Sequence, residues 1–476
     1  MALSNDEVFE LARDAVIKMF EEHGSDYRFP FDAIWQNTPP EIDIPSVSRP
    51  HQSGRLIAKG FIEKTGALTR AISEKRAGSA TPEYRFGTAL VAGSSPAGSP
   101  KGTGASARTS DLLKRMQQAM ESEGYIISTA ELANFYLAMM TSPLVILSGI
   151  SGTGKSLLPR QFAKHTKSLF YPIPVQPQWS DNSDLFGYVP TLAPDSFIEG
   201  QLIESLREAK SQGGKLVIAL LDEMNLAPVE HYFSDFLSVA ETRVRKDDSI
   251  ETDKLPIELP KIVAGKTDPH EELRGIGLPH NLRIVGTANM DETTHAFSPK
   301  VLDRAFTIEF DDPDLTAFAS AKRGAAEAYD VLAAAIVNEA NAISILEASA
   351  LSQDLFDQIA AMLDEVQQIL APAGIKFGYR TRDAILLYLH FWRQLDIADI
   401  LTGSAALDFC LLQKVLPKVS GSGDALADAL KTLEEWLSKD RSEESDFSGP
   451  FTRSLQKVER MAALLDTDGA TYYWGT

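Results

Sequence analysis

Residues 144–156, LVILSGISGTGKS, constrain the fold more than any other stretch of the chain. An apolar run passes into glycines and is closed by a lysine and a hydroxyl. Gly149, Gly154, Lys155 and Ser156 satisfy the pattern G-x-x-x-x-G-K-[ST], the P-loop. Glycines let successive backbone N–H groups wrap a polyphosphate, and Lys155 reaches its β/γ oxygens. Ser156 can hold Mg²⁺, and the N-terminus of a following helix adds positive potential. Leu157, Leu158, Gln161, Phe162, Ala163 and Lys164 are helix formers, so the stretch reads strand, loop, helix. Gly152, Thr153 and Leu157 complete the expected nucleotide-binding set.

The surroundings fit an open α/β sheet. From 111 to about 310, the apolar strands PLVILSG, KLVIALLDEM and NLRIVGTANM alternate with amphipathic helices. From 311 to 476 the pattern is helical: AAEAYDVLAAAIVNEANAI, QDLFDQIAAMLDEVQQIL, TRDAILLYLHFWRQL and SLQKVERMAALL. The expectation is an α/β core at 111–310 followed by a helical lid at 311–476. Residues 92–110, AGSSPAGSPKGTGASARTS, cannot bury a core and read as a flexible linker. They set off an N-terminal module, 1–91. In it a helix is expected near Asn5–His23 and another over 53–59. FIEKTGALTRAIS reads as a strand, a Thr-Gly turn and a second strand. Helices followed by a basic hairpin suggest a small α+β module of winged-helix type.

Charge divides the chain in the same place. The net charge is −20, yet from Arg49 to Arg108 there are ten Lys or Arg against three acids. A basic module on an acidic body makes DNA an expected partner through residues 49–108, with Arg55, Lys59, Lys64 and Arg70 near phosphates. A protein-docking module is the alternative. One cysteine, Cys410, excludes an intrachain disulfide and points to a reducing compartment. The opening MALSNDEVFELARDAVIKMF carries acids and is not a signal peptide. No apolar run approaches the ~20 residues of a membrane span. A cytoplasmic protein with no membrane contact is expected.

KLVIALLDEMN, residues 215–225, is the second chemical signal. Asp222 and Glu223 fall at a strand's C-terminal end, where ligands of open α/β sheets lie. Asp222 can bind Mg²⁺ through water, and Glu223 can polarise an attacking water. The bland alternative is a solvated acidic pair. In NLRIVGTANMDETTHAFSPKVLDRAFTIEF a strand ends at Asn289, where a γ-phosphate or water would sit; a turn residue is the alternative. Arg304 follows, and an arginine at a subunit edge can reach a neighbour's site. A local salt bridge to Asp303 or Glu309 competes with that reading. FGYRTRD places Arg380 at the head of a lid helix, as a nucleotide contact or as a solvated or Asp383-paired side chain. His295 reads as structural and Cys410 as core. Trp179 reads equally as part of a pore-facing insertion or as a packed surface aromatic.

Taken in order, the P-loop, LLDEMNLAPVEHYFSDFLSVAE, GTANMDETTHAFSPKVLDRAFTIEF and GYRTRD resemble an AAA+ ATPase of the dynein-related/MoxR-like branch. Within it, the chain is most similar to the motor subunit of McrBC-type modification-dependent restriction systems, a likeness that WSDNSDLFGYVP and SLQKVERMAALL share. The resemblance covers about 111–476. It implies that Lys155 and Ser156 are Walker A, Asp222 and Glu223 Walker B, Asn289 sensor 1, Arg304 a trans-acting arginine finger and Arg380 sensor 2. It also implies a ring, usually a hexamer, with nucleotide between subunits, and a separate McrC-like nuclease as partner. The restriction motors use GTP and carry M-N-T-A-D after the sensor strand. Here the chain reads Asn289-Met290-Asp291, so ATP with Mg²⁺ is favoured and GTP stays open. A MoxR-like chaperone ATPase that remodels a protein is the rival reading.

Overall fold

The computed structural model describes residues 5–23, 28–30, 32–38, 56, 62–70, 80–86, 108–246, 249–262, 267–290, 295–311, 316, 329–338, 343–441 and 446–474. The chain divides into two compact units, 1–106 with 349–353, and 107–348 with 354–476.

In the first unit a helix, Asn5–His23, and a short one, Asp32–Gln36, accompany a three-stranded antiparallel sheet. Its strands are β1 (Arg28–Pro30), β2 (Ile62–Arg70) and β3 (Ala80–Phe86), in the order β1-β3-β2. Ala12, Val16, Met19, Phe29, Ile34, Leu56, Ile62 and Tyr84 form its core. The expected Thr-Gly turn is not a turn: 62–70 is one strand, and its register against β3 shifts between Lys64 and Leu68. Glycine inside a strand marks a bulge here, which bends the strand without reversing it. Arg55 and Lys59 lie outside the described residues, as does the expected helix over 53–59 except for helical Leu56.

The second unit is built on a parallel sheet of five strands. These are β4 (Leu144–Gly149), β5 (Leu169–Pro174), β6 (Val217–Asp222), β9 (Leu282–Asn289) and β10 (Phe306–Glu309). Between β6 and β9 comes a small hairpin, β7 (Val244–Lys246) with β8 (Ser249–Glu251). The sheet order is β10-β4-β9-β6-β5, all pairs parallel. β9 therefore lies between the strand that carries the glycine-rich loop and the strand that carries Asp222. Gly149 pairs with Asn289 in register, so the two strand ends are level.

β4 and β9 are buried along their whole length and β6 at five of six positions. Continuous apolar runs are what a parallel sheet covered on both faces requires. Alternate side chains divide between two cores. Val145, Leu147, Ile218, Leu220, Val285 and Ile308 face one, with the helices Thr109–Ser122, Thr129–Thr141 and Leu157–Thr166. Leu144, Ile146, Val217, Ala219, Leu221 and Ile284 face the other, with Ile203–Ser211 and Ser234–Ala240.

Beyond β10 the described residues are mainly helical: Asp330–Val337, Ile345–Leu351, Gln353–Leu370, Tyr379–Gln394, Gly403–Lys414, Asp424–Leu437 and Thr452–Asp468. A two-stranded pair, β11 (Ser420–Ser422) with β12 (Ala470–Tyr472), is the exception. Cys410 is fully buried in its helix, as expected of core. Trp179 is buried too and packs edge-on to Tyr232 at 5.2 Å, so it is not a surface aromatic. Among the described residues no helix is long and apolar enough to cross a membrane.

Candidate functional site

The loop 150–156 connects β4 to the helix Leu157–Thr166, so the strand–loop–helix expectation is met. Gly149, Gly152 and Gly154 all have positive φ, at 139°, 86° and 86°. Gly149 is also sterically bound to be glycine. A Cβ there would lie 2.6 Å from both Asp311 Oδ1 and the Phe310 carbonyl oxygen. Asp311 in turn accepts the Ile150 N–H at 3.0 Å. Lys155 is buried, and its Nζ donates to the Gly149 and Ile150 carbonyls at 2.9 and 2.5 Å. Thr153 Oγ1 donates to the Ile150 carbonyl at 3.0 Å.

The expected chemical residues meet at the C-terminal ends of β4, β6 and β9. Ser156 Oγ donates to Asp222 Oδ1 at 2.6 Å. Thr287 Oγ1 donates to the same oxygen at 2.7 Å and accepts the Glu223 N–H at 2.9 Å. Asn289 Nδ2 donates to Glu223 Oε1 at 3.1 Å. Asn225 Nδ2 donates to the Asn289 carbonyl at 3.0 Å. Glu223 itself sits in the left-handed region at φ 54°, ψ 49°, a conformation that costs roughly 1–2 kcal/mol for a residue with a Cβ. Its N–H is held by the Thr287 hydroxyl and its carbonyl by the Leu226 N–H at 2.9 Å. Gly286 leaves the space: a Cβ there would fall 2.0 Å from Met224 Sδ, in the turn that follows Glu223. Sequence reading missed Thr287, yet residues 287 and 289 alternate onto one face of β9. Two polar side chains on one face of a buried strand were the available signal.

Two oxygen donors, Ser156 and Asp222, lie side by side at the start of the loop helix. That set fits Mg²⁺, which takes one or two protein oxygens and fills its remaining positions with water and phosphate.

Beside the loop opens a cleft of about 830 Å³. Gly152, Thr153, Gly154 and Leu157 form one wall and residues 124–128 another; Phe409, Leu412, Gln413, Arg453, Gln456, Lys457 and Arg460 close it from the helical side. Residues 453, 456, 457 and 460 share one helix face by their spacing. Asp408 holds the start of that helix, accepting the Arg453 and Ser454 N–H groups at 2.8 and 2.9 Å. Lys457 pairs with Glu309 at 2.7 Å, and both are deeply buried. Burial pushes the Glu309 carboxyl up to about 8, with Lys457 pulling the other way. These cationic residues of the last helix had no signal in sequence beyond ordinary helix amphipathicity.

Arg304 and Arg380 are not among the residues that line this cleft. They stand together on Glu241, directly after the helix Ser234–Ala240. Arg304 Nε and Nη2 are 2.7 and 2.9 Å from Glu241 Oε1 and Oε2. Arg380 Nε and Nη2 are each 2.8 Å from the same two oxygens. The local pairing of Arg304 with Asp303 or Glu309 is not observed: Asp303 pairs with Lys418 and Glu309 with Lys457. Arg382, not Arg380, pairs with Asp383. The Arg304 backbone carbonyl accepts from Ser142 Oγ at 3.2 Å, just before β4 begins. Arg304 and the glycine-rich loop are thus separated by the length of β4, about 20 Å at ~3.3 Å per residue.

The turn that presents Arg304 is gripped from the helical side. Lys414 Nζ is buried and donates to the Leu302, Asp303 and Ala305 carbonyls at 3.2, 2.9 and 2.6 Å. His295 donates its backbone N–H to the Asn225 carbonyl at 3.0 Å, in keeping with a structural part.

Residues 332–472 match a family described as a domain of unknown function, DUF8727. Among curated proteins no sequence matches the chain. A crystal structure described as a "putative ATPase" from Cytophaga hutchinsonii ATCC 33406 is similar over 64% of this chain and 87% of that one, at 14% identity and a TM-score of 0.40.

Proposed function

We propose that the chain is an AAA+ ATPase that works as a ring, with nucleotide held at the glycine-rich loop of one copy and completed by arginines of the next. One observation carries the reading: an unbroken set of hydrogen bonds, Ser156–Asp222–Thr287–Glu223–Asn289, at the level of the loop. The sheet order supports it. Counted by appearance, the five core strands run 5-1-4-3-2, which inserts the Asn289 strand between the loop strand and the Asp222–Glu223 strand.

In this reading Gly149, Gly152, Thr153, Gly154, Lys155 and Leu157 bind the triphosphate, largely through backbone N–H groups. Ser156 and Asp222 would hold Mg²⁺, which neutralises phosphate charge when bound. Glu223 orients the attacking water and accepts its proton; Asn289 fixes the carboxylate by donating to one oxygen. Arg304 serves the neighbouring copy, because in its own chain it lies about 20 Å from the loop. Arg380 acts with it there rather than as a contact to its own chain's nucleotide.

For the biological setting we retain the motor of a McrBC-like restriction system, with the N-terminal module on DNA and a separate nuclease partner. Support comes from the motif resemblance and the basic stretch 49–108. A MoxR-like chaperone shares the same site. DNA-stimulated hydrolysis by the full chain favours the motor; stimulation by a protein partner alone favours the chaperone.

The test of the enzyme reading is subunit mixing. Glu223→Gln and Arg304→Ala should each lower ATP turnover by about 10²-fold or more while nucleotide still binds. Mixed assemblies of the two should regain activity, since some interfaces then carry Glu223 from one copy and Arg304 from another. Undiminished turnover in Glu223→Gln defeats the catalytic assignment. Mixtures that form yet stay inactive defeat the action between copies.

A further inference from the structure

We propose that Glu241 is a positioning residue that fuses Arg304 and Arg380 into a single anion-binding unit for the nucleotide of the neighbouring copy. The inference rests on the reading of Arg304 given above and extends it to a residue with no motif signature.

The geometry is specific. Both guanidinium groups donate from Nη2 to one Glu241 oxygen, Oε2, at 2.9 and 2.8 Å, and their Nε atoms lie 2.7 and 2.8 Å from the other, Oε1, as ion-pair contacts. A charge-assisted hydrogen bond joined to a second close contact on the same carboxylate fixes where each guanidinium sits. Arg304 is held at a third point, donating from Nη1 to the Lys300 carbonyl at 2.8 Å. With Nε and Nη2 turned toward Glu241, Nη1 of each group lies on the side away from it. The unit keeps one net positive charge, and its members are partly open, with side-chain exposures of 17% for Arg304, 57% for Arg380 and 28% for Glu241. A carboxylate at the C-terminal end of the helix Ser234–Ala240 faces the negative pole of that helix. The two arginines make the placement favourable, and the carboxylate in turn stops them from repelling each other.

Without Glu241, two long cationic side chains would have to be ordered at the moment of reaction against their own repulsion and rotamer entropy. With it they arrive as a pair, already oriented. An error of about 1 Å in placing such a group costs on the order of 10²-fold in rate.

The test uses full-length Glu241→Gln, which keeps shape and removes charge, and Glu241→Asp, which keeps charge on a shorter arm. Glu241→Gln should lower ATP turnover by about 10²-fold with the nucleotide Kd changed less than a few-fold, and Glu241→Asp should recover part of the loss. On the Arg304→Ala/Arg380→Ala background, Glu241→Gln should add no further loss. Mixed with Glu223→Gln subunits, Glu241→Gln subunits should regain activity, because the two defects then sit on opposite sides of an interface. Wild-type turnover in Glu241→Gln overturns the proposal, as does a further loss on the double-arginine background. If Arg304→Ala mixtures recover and Glu241→Gln mixtures do not, Glu241 acts within its own chain and the proposal fails alone. If neither recovers although tagged copies co-purify, the reading of action between copies fails and takes this proposal with it.

Discussion

Thr287→Val is the most informative single substitution at the site. Valine keeps the branched shape in a buried strand position and removes only the hydroxyl, so no cavity is opened. That hydroxyl donates to Asp222 at 2.7 Å and accepts the Glu223 N–H at 2.9 Å. A hydrogen bond to a charged group contributes about 1.5–3 kcal/mol, and a neutral one about 1 kcal/mol. The expected loss of stability is therefore about 2–4 kcal/mol, read as a lower urea midpoint at unchanged slope. The catalytic loss has a separate cause. Glu223 is held in a left-handed conformation, and the bond to Thr287 is the contact that fixes its N–H. Freed from it, Glu223 relaxes and its carboxylate leaves the point to which Asn289 directs it, which should reduce turnover by about 10²-fold. Nucleotide affinity should stay within a few-fold, because Asp222 keeps its hydrogen bond from Ser156 at 2.6 Å. Thr287→Ser restores the hydroxyl and should restore most of the rate while losing about 1 kcal/mol of methyl burial. Equal turnover in the valine variant and the wild type would refute the reasoning, even if stability fell as stated.

Gly286→Ala should destabilise by about 1–3 kcal/mol and disturb turnover, since its new Cβ meets Met224 in the turn after Glu223. Met224→Ala should cost about 2–5 kcal/mol alone, and the double variant clearly less than the sum, as denaturant titrations in a double-mutant cycle would show; additivity would sink this account. Burial pushes the Glu309 carboxyl up to about 8 from an ordinary value of 4.5, against the pull of Lys457. Its raised pKa stabilises the fold fully below about pH 4.5, and that contribution is lost as pH rises through about 8. The stability difference between wild type and Glu309→Gln should therefore decline from pH 5 to pH 8, and a flat difference in urea unfolding would count against the burial of Glu309.

How far the sequence reached depends on whether a residue's partner is near in sequence or only in space. The glycine-rich loop, the Asp222–Glu223 strand end and the Asn289 strand end each announce themselves within a dozen residues, because strand period and glycine content are local properties. Glu241 does not. It meets Arg304 and Arg380 across 63 and 139 positions, and nothing local distinguishes it from any other acid at a helix end. The same limit explains why Arg304 was given Asp303 or Glu309 as rival partners: a sequence offers its neighbours first. Trp179 reads as a surface aromatic because a polar stretch, SDNSD, follows it, yet it is buried in the core beside Tyr232. In β2 the Thr65–Gly66 pair carries a turn signature, but pairing with β3 over most of 62–70 overrides it, and the glycine is absorbed as a bulge.

The helix Gly403–Lys414 has a consequence beyond packing. Leu412 and Gln413 line the cleft beside the glycine-rich loop, and the very next residue, Lys414, grips the turn that presents Arg304 at the far end of the sheet. One helix thus touches both the cleft and the turn that presents Arg304. Leu412, Gln413 and Lys414 are consecutive, so a displacement of the helix at the cleft also displaces Lys414, which must drag three carbonyls with it or let go of them. Under the function proposed above, occupancy of the cleft would thereby alter the reach of Arg304.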